Sequence, residues 1–382
     1  MNVLVTGAKG FIGKNLVVLL RNRHDTEVFE HDVESPSGSL EEYLAQTDVV
    51  YHLAGVNRPE WVEDFEPGNV GLTEKVCEVL RRLGRKPVLV LSSSTQALLD
   101  NPYGQSKRQA EELVLEFGKK TGAKVFVFRL PGVFGKWCRP NYNSVVATFC
   151  HNIAHDLPIS ISNPANALQL VYVGHVCAAF LKAVSLGQAP LADMKPSSGN
   201  GYVEVAPVFH TTLGELADTI RSFRSSRSSL QVPAFDDPFI YCLYATYLSY
   251  LEGPDFAYPL GQKTDNRGSL AEFLKSPAFG QIFVSRTKPG ITRGDHYHHT
   301  KTEKFLVVQG DAIIRFRHIL GDEIIEHPVS GQEFKVVDIP PGYSHSIENV
   351  GNDELVTLFW ADRVFDPENQ DTVYEKVMRG NA

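Results

Sequence analysis

The N-terminal part of the chain alternates short apolar runs with stretches that carry apolar residues at helical spacing. The helical stretches include Leu72–Leu83 and Tyr103–Phe117. The apolar runs predict strands near Asn2–Thr6, Glu27–Glu30, Asp48–Leu53, Pro87–Leu91 and Lys124–Phe128. Strands that alternate with helices predict a parallel sheet that is covered on both faces. Ligands of such a doubly wound α/β sheet bind beyond the carboxyl ends of its strands.

The chain is too long for one ordinary core, and its 382 residues lead us to expect two domains. The segment Ser222–Ser229 is polar and turn-rich, with a helix expected in part of it. The stretch Tyr241–Tyr250, with a tyrosine at every third position, is typical of core or interface packing. We therefore place the domains at residues 1–243 and 244–382.

Composition narrows the class of protein. Hydrophobic residues make up 43% and charged residues 21% of the chain, which is typical of a globular protein. The net charge of −8 argues against a nucleic acid partner. No apolar run approaches the ~18 residues of a membrane span, and the N-terminus has no signal-peptide pattern. Five scattered cysteines favour reduced thiols in the cytoplasm over disulfides.

Three glycines at G-x-x-G-x-x-G spacing separate the first strand from the first helix. The first two let the backbone turn against a pyrophosphate at the positive helix end, and the third lets helix and strand pack closely. The expected dinucleotide site comprises Gly7, Gly10, Phe11, Ile12, Gly13, Leu53, Ala54 and Gly55. Its phosphate preference stays open between Glu30, as a ribose-binding acid for NAD, and Lys9, which would meet a 2′-phosphate.

Hydroxyl groups lie at the end of the fourth predicted strand, in the run Ser92–Thr95. Tyr103 and Lys107 follow, four residues apart on one helix face. An ammonium beside a phenol lowers the pKa of the phenol from about 10 toward neutrality, which would make Tyr103 a usable proton donor and acceptor. Ser94 or Thr95 would hydrogen-bond the substrate oxygen beside it.

The glycine turn, the strand Asp48–Gly55, the serine run and the segment N-P-Y-G-Q-S-K together resemble the extended short-chain dehydrogenase/reductases that act on nucleotide sugars. The resemblance covers residues 1–240 and implies a Rossmann-like fold with NADPH as the cofactor. It implies three catalytic groups, of which the last two also contact the cofactor: Ser94, Tyr103 and Lys107. Three further cations are candidates for holding a nucleotide diphosphate: Arg58, Lys136 and Arg139.

A second group of candidate functional residues lies between Gly290 and Gly310. His296 and His298 point to the same side if they lie on one strand, and a short turn would bring Glu303 back on the next strand. The run I-P-P-G-Y-S-H-S-I-E-N adds His345 as a fourth candidate ligand. Three imidazoles and one carboxylate suit a single divalent metal ion, with zinc favoured over iron, manganese and nickel.

These two runs resemble the paired motifs of the cupin superfamily, small antiparallel barrels that hold one metal ion at the barrel mouth. The resemblance implies an all-β cupin barrel as the second domain. The whole chain resembles the bifunctional reductase/epimerases of capsular polysaccharide synthesis, the UDP-2-acetamido-2,6-dideoxy-L-talose synthase family. The shared segments are NPYGQSK, FGKWCRPNYNS, TLGEL, GSLAEF and HHTKTEKFLVV.

That resemblance implies a UDP-linked 4-keto-6-deoxy-N-acetylamino sugar as the substrate, in the pathway to UDP-N-acetyl-L-fucosamine. A ketone at C4 acidifies the C3 proton, so the barrel would invert C3 through an enolate and the reductase domain would then deliver hydride to C4. Candidates for the proton transfer are His299, Lys301 and Tyr343, among which no spacing selects. A homodimer is expected, because exposed sheet edges favour pairing.

Other functions stay open on the sequence alone. The barrel could serve only for the dimerisation and stability of a lone reductase. The first domain could instead be a sugar 4-epimerase or a dehydratase that recycles bound NAD. A redox-sensing binding protein and an iron oxygenase barrel are the remaining alternatives.

Overall fold

The computed structural model describes residues 1–187, 201–368 and 370–379. The chain folds into two compact units. The first comprises Met1–Arg221 and Cys242–Leu251, and the second comprises Ser222–Tyr241 and Glu252–Ala382. The boundary predicted between residues 243 and 244 falls inside the helix Pro238–Leu248, so the predicted domains and the compact units differ there.

The first unit is built on a parallel sheet with the strand order β2-β1-β3-β4-β5-β8. A smaller sheet has the order β6-β7-β9. The strands are β1 (Asn2–Thr6), β2 (Glu27–His31), β3 (Val49–His52), β4 (Val88–Ser94), β5 (Val125–Leu130), β6 (Gly132–Phe134), β7 (Ala167–Tyr172), β8 (Tyr202–Val203) and β9 (Phe209–Thr212). The helices of the chain are α1 (Phe11–Arg21), α2 (Ser39–Gln46), α3 (Leu72–Arg82), α4 (Pro102–Thr121), α5 (Val145–Ala154), α6 (Val173–Gly187), α7 (Leu213–Ser229) and α8 (Pro238–Leu248). The last part of α7, from Ser222, and the first part of α8, to Tyr241, belong to the second unit.

Both faces of the parallel sheet are covered. Because successive strand residues point to opposite faces, Val3 and Val5 of β1 enter one apolar core with α1 and α6, whereas Leu4 enters another with α2, α3 and α4. The predicted doubly wound α/β fold is thus confirmed. None of the described helices combines the length and the apolar character that crossing a membrane requires.

The polar segment Ser222–Ser229 is helical throughout, as the last part of α7, rather than only in part. Its serines stay in the helix because the hydroxyls of Ser225, Ser226 and Ser228 bond to main-chain carbonyls three residues earlier. In the tyrosine stripe of α8, Tyr247 is fully buried and Tyr244 is partly buried, whereas Tyr241 is exposed, so the predicted core packing holds for only part of the stripe.

The second unit contains two antiparallel sheets with the orders β10-β11-β12-β19-β14-β17 and β16-β15-β18-β13-β20. The strands are β10 (Gln262–Asp265), β11 (Gly268–Ser276), β12 (Gly280–Thr287), β13 (Thr292–Tyr297), β14 (Glu303–Gln309), β15 (Asp311–His318), β16 (Ile324–Ser330), β17 (Val336–Ile339), β18 (Tyr343–Asn349), β19 (Leu355–Ala361) and β20 (Val373–Tyr374). Inward-facing residues of both sheets, among them Phe305, Ile314 and Phe359, form one buried core. This confirms the predicted cupin-like β domain.

Candidate functional site

The glycine turn lies where β1 gives way to α1. Gly7 has a left-handed φ of 68°, and its N–H donates to the carbonyl of His31 at the end of β2 (2.8 Å). A Cβ on Gly13 would lie 2.1 Å from the Gly7 carbonyl oxygen, so a side chain there would force strand and helix apart. No side chain caps the N-terminus of α1, so its first N–H groups can donate hydrogen bonds to a pyrophosphate. The turn has the geometry expected of a dinucleotide site.

The end of β3 brings Leu53, Ala54 and Gly55 beside the same turn. Ala54 donates its N–H to Oγ1 of Thr6 (3.3 Å). A Cβ on Gly55 would lie 3.1 Å from Nζ of Lys107 and 2.7 Å from Oδ1 of Asn69. The glycine therefore leaves the Lys107 ammonium free to approach the backbone where a nicotinamide ribose would lie.

The predicted catalytic residues lie together at the end of β4 and the start of α4. A hydrogen bond joins the Ser94 and Tyr103 side chains, and Ser94 Oγ also accepts the N–H of Gln96 (3.1 Å). The Ser93 hydroxyl is instead occupied, since it donates to the buried carboxylate of Glu111. Among the serines of this strand end, Ser94 is therefore the one that adjoins Tyr103.

Lys107 is buried, and its ammonium donates to the carbonyl oxygen of Ser92 (3.2 Å). Burial lowers the pKa of Lys107 to about 8, although Glu111 opposes the shift. The expected lowering of the Tyr103 pKa is not seen: burial raises that pKa, and only the hydrogen bond to Ser94 opposes the rise. The difference arises because the Lys107 ammonium is directed to the Ser92 carbonyl.

Asn69 is a residue of this site that the sequence analysis missed. It is buried within the irregular helical segment Glu66–Gly71. Its Oδ1 accepts the N–H of Val56 (3.0 Å), and its Nδ2 donates to the Val56 carbonyl (2.9 Å) and to Ser106 Oγ (3.0 Å). The amide thus ties the end of β3 to α4, and no periodic signal in the sequence indicates it.

Two of the three cations predicted to hold a nucleotide diphosphate lie near each other in the structure. Arg58 donates to the main-chain carbonyl of Tyr142, and the guanidinium of Arg139 lies 5.2 Å from the centre of the Tyr142 ring. Lys136 lies over the neighbouring Trp137 ring, 4.5 Å from its centre. Arg58 and Arg139 therefore share one aromatic neighbour, whereas Lys136 packs on a different ring.

The four predicted metal ligands converge in the second unit. His296 lies on β13, His298 directly follows that strand, Glu303 begins β14 and His345 lies opposite His296 on β18. One ligand atom from each of the four lies within 4.8 Å of the others. His298, Glu303 and His345 are buried and His296 is half-buried. The sequence prediction that these residues form one cluster agrees with the structure.

The donor atoms of this cluster suit a divalent metal ion. Nε2 of His345 is buried without a hydrogen-bond partner among the described residues, and it lies 3.5 Å from Glu303 Oε2. Burial, with the neighbouring His345 and His298 rings, lowers the pKa of His296 to about 4, so that this imidazole is neutral as a metal ligand must be. Three imidazoles and a carboxylate are donors that a divalent ion such as zinc accepts.

Glu303 is ionised despite its burial. Burial opposes ionisation, but His298, His345 and the ammonium of Lys301, which lies 2.6 Å from Oε1, together lower the pKa of this carboxyl group. Lys301 thus holds one carboxylate oxygen while the other faces the imidazoles. Glu303 is therefore the one anionic group among the four predicted ligands.

Asp371 is a second residue that the sequence analysis missed. Its carboxylate accepts the main-chain N–H groups of His299 (2.9 Å), Thr300 (2.8 Å) and Lys301 (2.8 Å), and its carbonyl accepts Nδ1 of His298. The carbonyl leaves Nε2 of His298 directed at the cluster. These N–H groups help to lower the pKa of Asp371 against the effect of burial.

A cavity of about 350 Å³ opens onto the cluster. His296, Lys301 and Glu303 line it, whereas His299 and Tyr343 do not. Three further cations line this cavity: Lys263, Arg267 and Arg293. Arg267 pairs with Asp265 (2.6 Å), while Arg293 is bonded through Nε to the hydroxyl of Thr287 (2.9 Å) and to no carboxylate of the described chain. The cavity therefore favours an anionic ligand.

Comparison with known proteins finds relatives that match nearly the whole chain. The chain is 45% identical to the UDP-2-acetamido-2,6-beta-L-arabino-hexul-4-ose reductase of Pseudomonas aeruginosa over 372 residues, which is 97% of this chain and 98% of that protein. The crystal structure of the capsular polysaccharide assembling protein CapF of Staphylococcus aureus matches with a TM-score of 0.90 and 46% identity, over 98% of this chain and 100% of that one. A structure of CapF with the inhibitor 3-isopropenyl-tropolone matches with a TM-score of 0.86 and 42% identity, over the same shares.

More distant structures share the fold of the first unit alone. UDP-glucuronic acid 4-epimerase of Bacillus cereus is 16% identical with a TM-score of 0.53, over 65% of this chain and 96% of that one. Residues 3–192 match the NAD dependent epimerase/dehydratase family, and residues 263–373 match the polysaccharide biosynthesis C-terminal domain. The chain therefore belongs to the reductase/epimerase family of capsular polysaccharide synthesis, in which an NAD(P)-dependent epimerase/dehydratase domain precedes a polysaccharide biosynthesis C-terminal domain.

Proposed function

We propose that the chain is a bifunctional enzyme that acts on a UDP-2-acetamido-2,6-dideoxy-4-keto-hexose. Its barrel epimerises the sugar at C3, and its N-terminal domain reduces the C4 ketone to give UDP-2-acetamido-2,6-dideoxy-L-talose, a precursor of UDP-N-acetyl-L-fucosamine for capsule synthesis. One observation carries the proposal: Ser94, Tyr103 and Lys107 beside a glycine turn occur in the same chain as a four-ligand cluster in a cationic cavity. The name of the Pseudomonas aeruginosa relative, a hexul-4-ose reductase, supports the C4 ketone.

The reduction uses the residues at the end of β4. When bound, the reduced nicotinamide supplies a hydride to C4 of the sugar. Tyr103 donates its phenolic proton to the C4 oxygen, and Ser94, already hydrogen-bonded to Tyr103, positions that oxygen. Lys107 lies in contact range of Gly55, where it holds the ribose of the cofactor and supports the return of a proton to Tyr103.

The epimerisation uses the barrel cavity. When bound, the metal ion supplies a Lewis acid that stabilises the enolate formed on loss of the C3 proton. Lys301 is our choice for the group that moves the proton, because it lines the cavity whereas His299 and Tyr343 do not. Arg267 and Arg293, which line the same cavity, hold the diphosphate of the substrate.

The order of the two steps follows from their chemistry. Loss of the C3 proton requires the C4 ketone, since the carbonyl delocalises the carbanion charge. Reduction removes that carbonyl and makes the C3 configuration permanent. Epimerisation therefore precedes reduction.

The proposal includes two cofactors and a location. The dinucleotide expected from the family resemblance is NADPH, and the metal expected from the ligand set is zinc. The tropolone inhibitor in one CapF structure supports a metal, because tropolones chelate divalent ions through adjacent oxygens. We place the enzyme in the cytoplasm. We also expect a homodimer, whose mass light scattering after size exclusion measures directly.

The deciding experiment is NMR of the keto sugar in D2O with the wild type, Tyr103→Phe and His345→Ala. Tyr103→Phe should lower the reduction rate on the order of 10²- to 10⁴-fold while deuterium still enters C3. His345→Ala should stop deuterium entry at C3. If the wild type and His345→Ala both reduce the ketone and neither admits deuterium at C3, the enzyme is instead a lone reductase with a structural barrel. If His345→Ala epimerises like the wild type, the His296, His298, Glu303 and His345 cluster is not the epimerisation site. If the wild type neither oxidises a reduced nicotinamide nor exchanges the C3 proton, the proposed function is wrong.

A further inference from the structure

Arg317 is a fully buried cation in the second unit. It lies on β15, and only 1% of its surface is exposed. Its guanidinium donates to the carboxylate of Glu375 (2.7 Å) and to the main-chain carbonyls of Lys376 (2.9 Å) and Val377 (3.0 Å). The turn that follows β15 supplies further carbonyl oxygens. Three of the acceptors, including the carboxylate, thus belong to the C-terminal segment Asp371–Arg379.

The C-terminal segment is bonded to the barrel on a second side as well. The N–H groups of Glu375 and Val377 donate to the main-chain carbonyl (2.9 Å) and to Oδ1 (3.1 Å) of Asp295. The Val377 side chain is fully buried. A buried charge is stable only when it is paired and hydrogen-bonded, so release of the segment would leave the Arg317 guanidinium without its carboxylate. Arg317 therefore holds the segment in its docked position.

The same segment lies behind two of the four predicted metal ligands. Its strand β20 pairs with β13, so that Tyr374 lies opposite His296. The main-chain carbonyl of Asp371 accepts Nδ1 of His298, and the next residue, Thr372, lines the cavity at the cluster. The orientation of both histidines thus depends on where the C-terminal segment lies.

We propose that Arg317 is a positioning residue of the metal cluster: it anchors the C-terminal segment, which in turn orients His296 and His298. Arg317 itself does not line the cavity, so it acts only through that segment. The inference rests on the metal cluster of the proposed function. Groups that orient metal ligands from outside the cluster change metal affinity about 10- to 100-fold when they are removed.

The test measures metal binding by the full-length protein and requires no sugar substrate. Arg317→Met should raise the Kd for zinc about 10- to 100-fold in competition with a chromophoric chelator. It should also alter the visible absorption spectrum of the cobalt-loaded protein, because His298 is no longer held in place. Arg317→Lys keeps the positive charge without the planar fork of donors, and should recover part of the lost affinity.

The matched control is Arg315→Met. Arg315 lies on the same strand, two residues earlier, and pairs with Glu326 (2.6 Å) and Glu348 rather than with the C-terminal segment. Its removal should leave the Kd for zinc and the cobalt spectrum unchanged. A loss of affinity as large in Arg315→Met as in Arg317→Met would overturn the inference.

Hydrogen exchange measured by mass spectrometry separates release of the segment from unfolding of the barrel. In metal-free Arg317→Met, the N–H groups of Glu375 and Val377 should exchange at least tenfold faster than in the wild type, while β18 (Tyr343–Asn349) stays protected. Glu375→Gln removes only the ion pair, and it keeps the test available if Arg317→Met does not fold. This variant should change zinc affinity and exchange in the same direction.

Two further results would overturn the inference and leave the proposed function intact: wild-type exchange of the C-terminal segment in Arg317→Met, or a released segment with unchanged zinc affinity. A wild type that binds neither zinc nor cobalt would overturn the metal cluster of the proposed function together with this inference. Weakened zinc binding in Arg317→Met, with no C3 exchange in the wild type, would support the inference and refute only the proposed epimerisation.

Discussion

The main-chain carbonyl of Asp371 accepts a hydrogen bond from Nδ1 of His298, which lies 73 residues earlier in the chain. The carboxylate of the same aspartate holds the main-chain N–H groups of the turn from His299 to Lys301. One residue therefore orients a predicted metal ligand and shapes the turn that leads to Glu303. Partners of this kind tune metal affinity even though they do not touch the ion.

We expect Asp371→Ala to weaken zinc binding about 10- to 100-fold, because the turn from His299 to Lys301 loses the carboxylate that holds it, and the main-chain carbonyl that orients His298 is then no longer fixed beside that turn. Competition with a chromophoric chelator measures the affinity. Asp362→Ala is the matched control, since Asp362 accepts the N–H of Thr302 (3.2 Å) at the other end of the same turn without a bond to His298. Equal affinities for the wild type and Asp371→Ala would contradict the assigned role.

The neighbouring serines Ser93 and Ser94 should behave differently. Ser94→Ala should lower kcat for the reduction about tenfold or more, because the hydroxyl beside Tyr103 is lost. Ser93→Ala should keep kcat but lower the free energy of unfolding by about 1–3 kcal/mol, because the buried Glu111 carboxylate loses a donor. Steady-state kinetics and urea unfolding of both variants distinguish the roles. A loss of kcat in Ser93→Ala with Ser94→Ala unaffected would reverse the assignment.

The buried ammonium of Lys107 should lower the free energy of unfolding of the protein without its cofactor. Its pKa is about 8 in the folded chain against an ordinary 10.5, so ionisation of the folded state at neutral pH costs about 3 kcal/mol. Lys107→Met also loses the hydrogen bond to Ser92, worth about 1 kcal/mol, and should therefore raise the free energy of unfolding by about 2 kcal/mol while reduction is lost.

The sign of the pH dependence follows from that pKa. Between pH 8 and 10.5 the unfolded chain holds the proton and the folded chain does not, so the penalty is fully present below pH 8 and disappears as the pH rises toward 10.5. The advantage of Lys107→Met should shrink over the same range in urea unfolding experiments. Lys119→Met, at an exposed position of α4, is the control and should show no such trend. A constant advantage would refute the burial argument.

Arg293 should hold the substrate in the barrel rather than act in reduction. Arg293→Met should raise KM for C3 deuterium exchange about 10- to 100-fold, because a charge-assisted hydrogen bond to the diphosphate is lost. The control is Arg286→Gln, whose residue lies on β12 and does not line the cavity. An unchanged KM in Arg293→Met would exclude the anion-binding role.

The sequence by itself determined the features that depend on local spacing. The glycines of the first turn lie between a strand and a helix that follow each other directly in the chain. Their spacing alone therefore indicated the dinucleotide site. His296 and His298 were predicted as neighbours because strand residues two apart share a face, and Tyr103 and Lys107 because helix residues four apart do. The order of strands and helices likewise followed from hydrophobic period.

Only the tertiary structure decided the features that depend on the register between distant segments. The pairing of Thr6 with His31 brings Asp32 beside the glycine turn, where its carboxylate accepts the N–H of Lys9 (2.8 Å), whereas Glu30 pairs with Arg21. The packing of α4 on β4 turns Ser93 toward Glu111 and leaves Ser94 beside Tyr103. Asn69 and Asp371 act through hydrogen bonds to segments far away in sequence, and such bonds leave no periodic pattern. A chain records the spacing of neighbours directly, whereas contacts between remote residues exist only once the packing of strands and helices has fixed their separation.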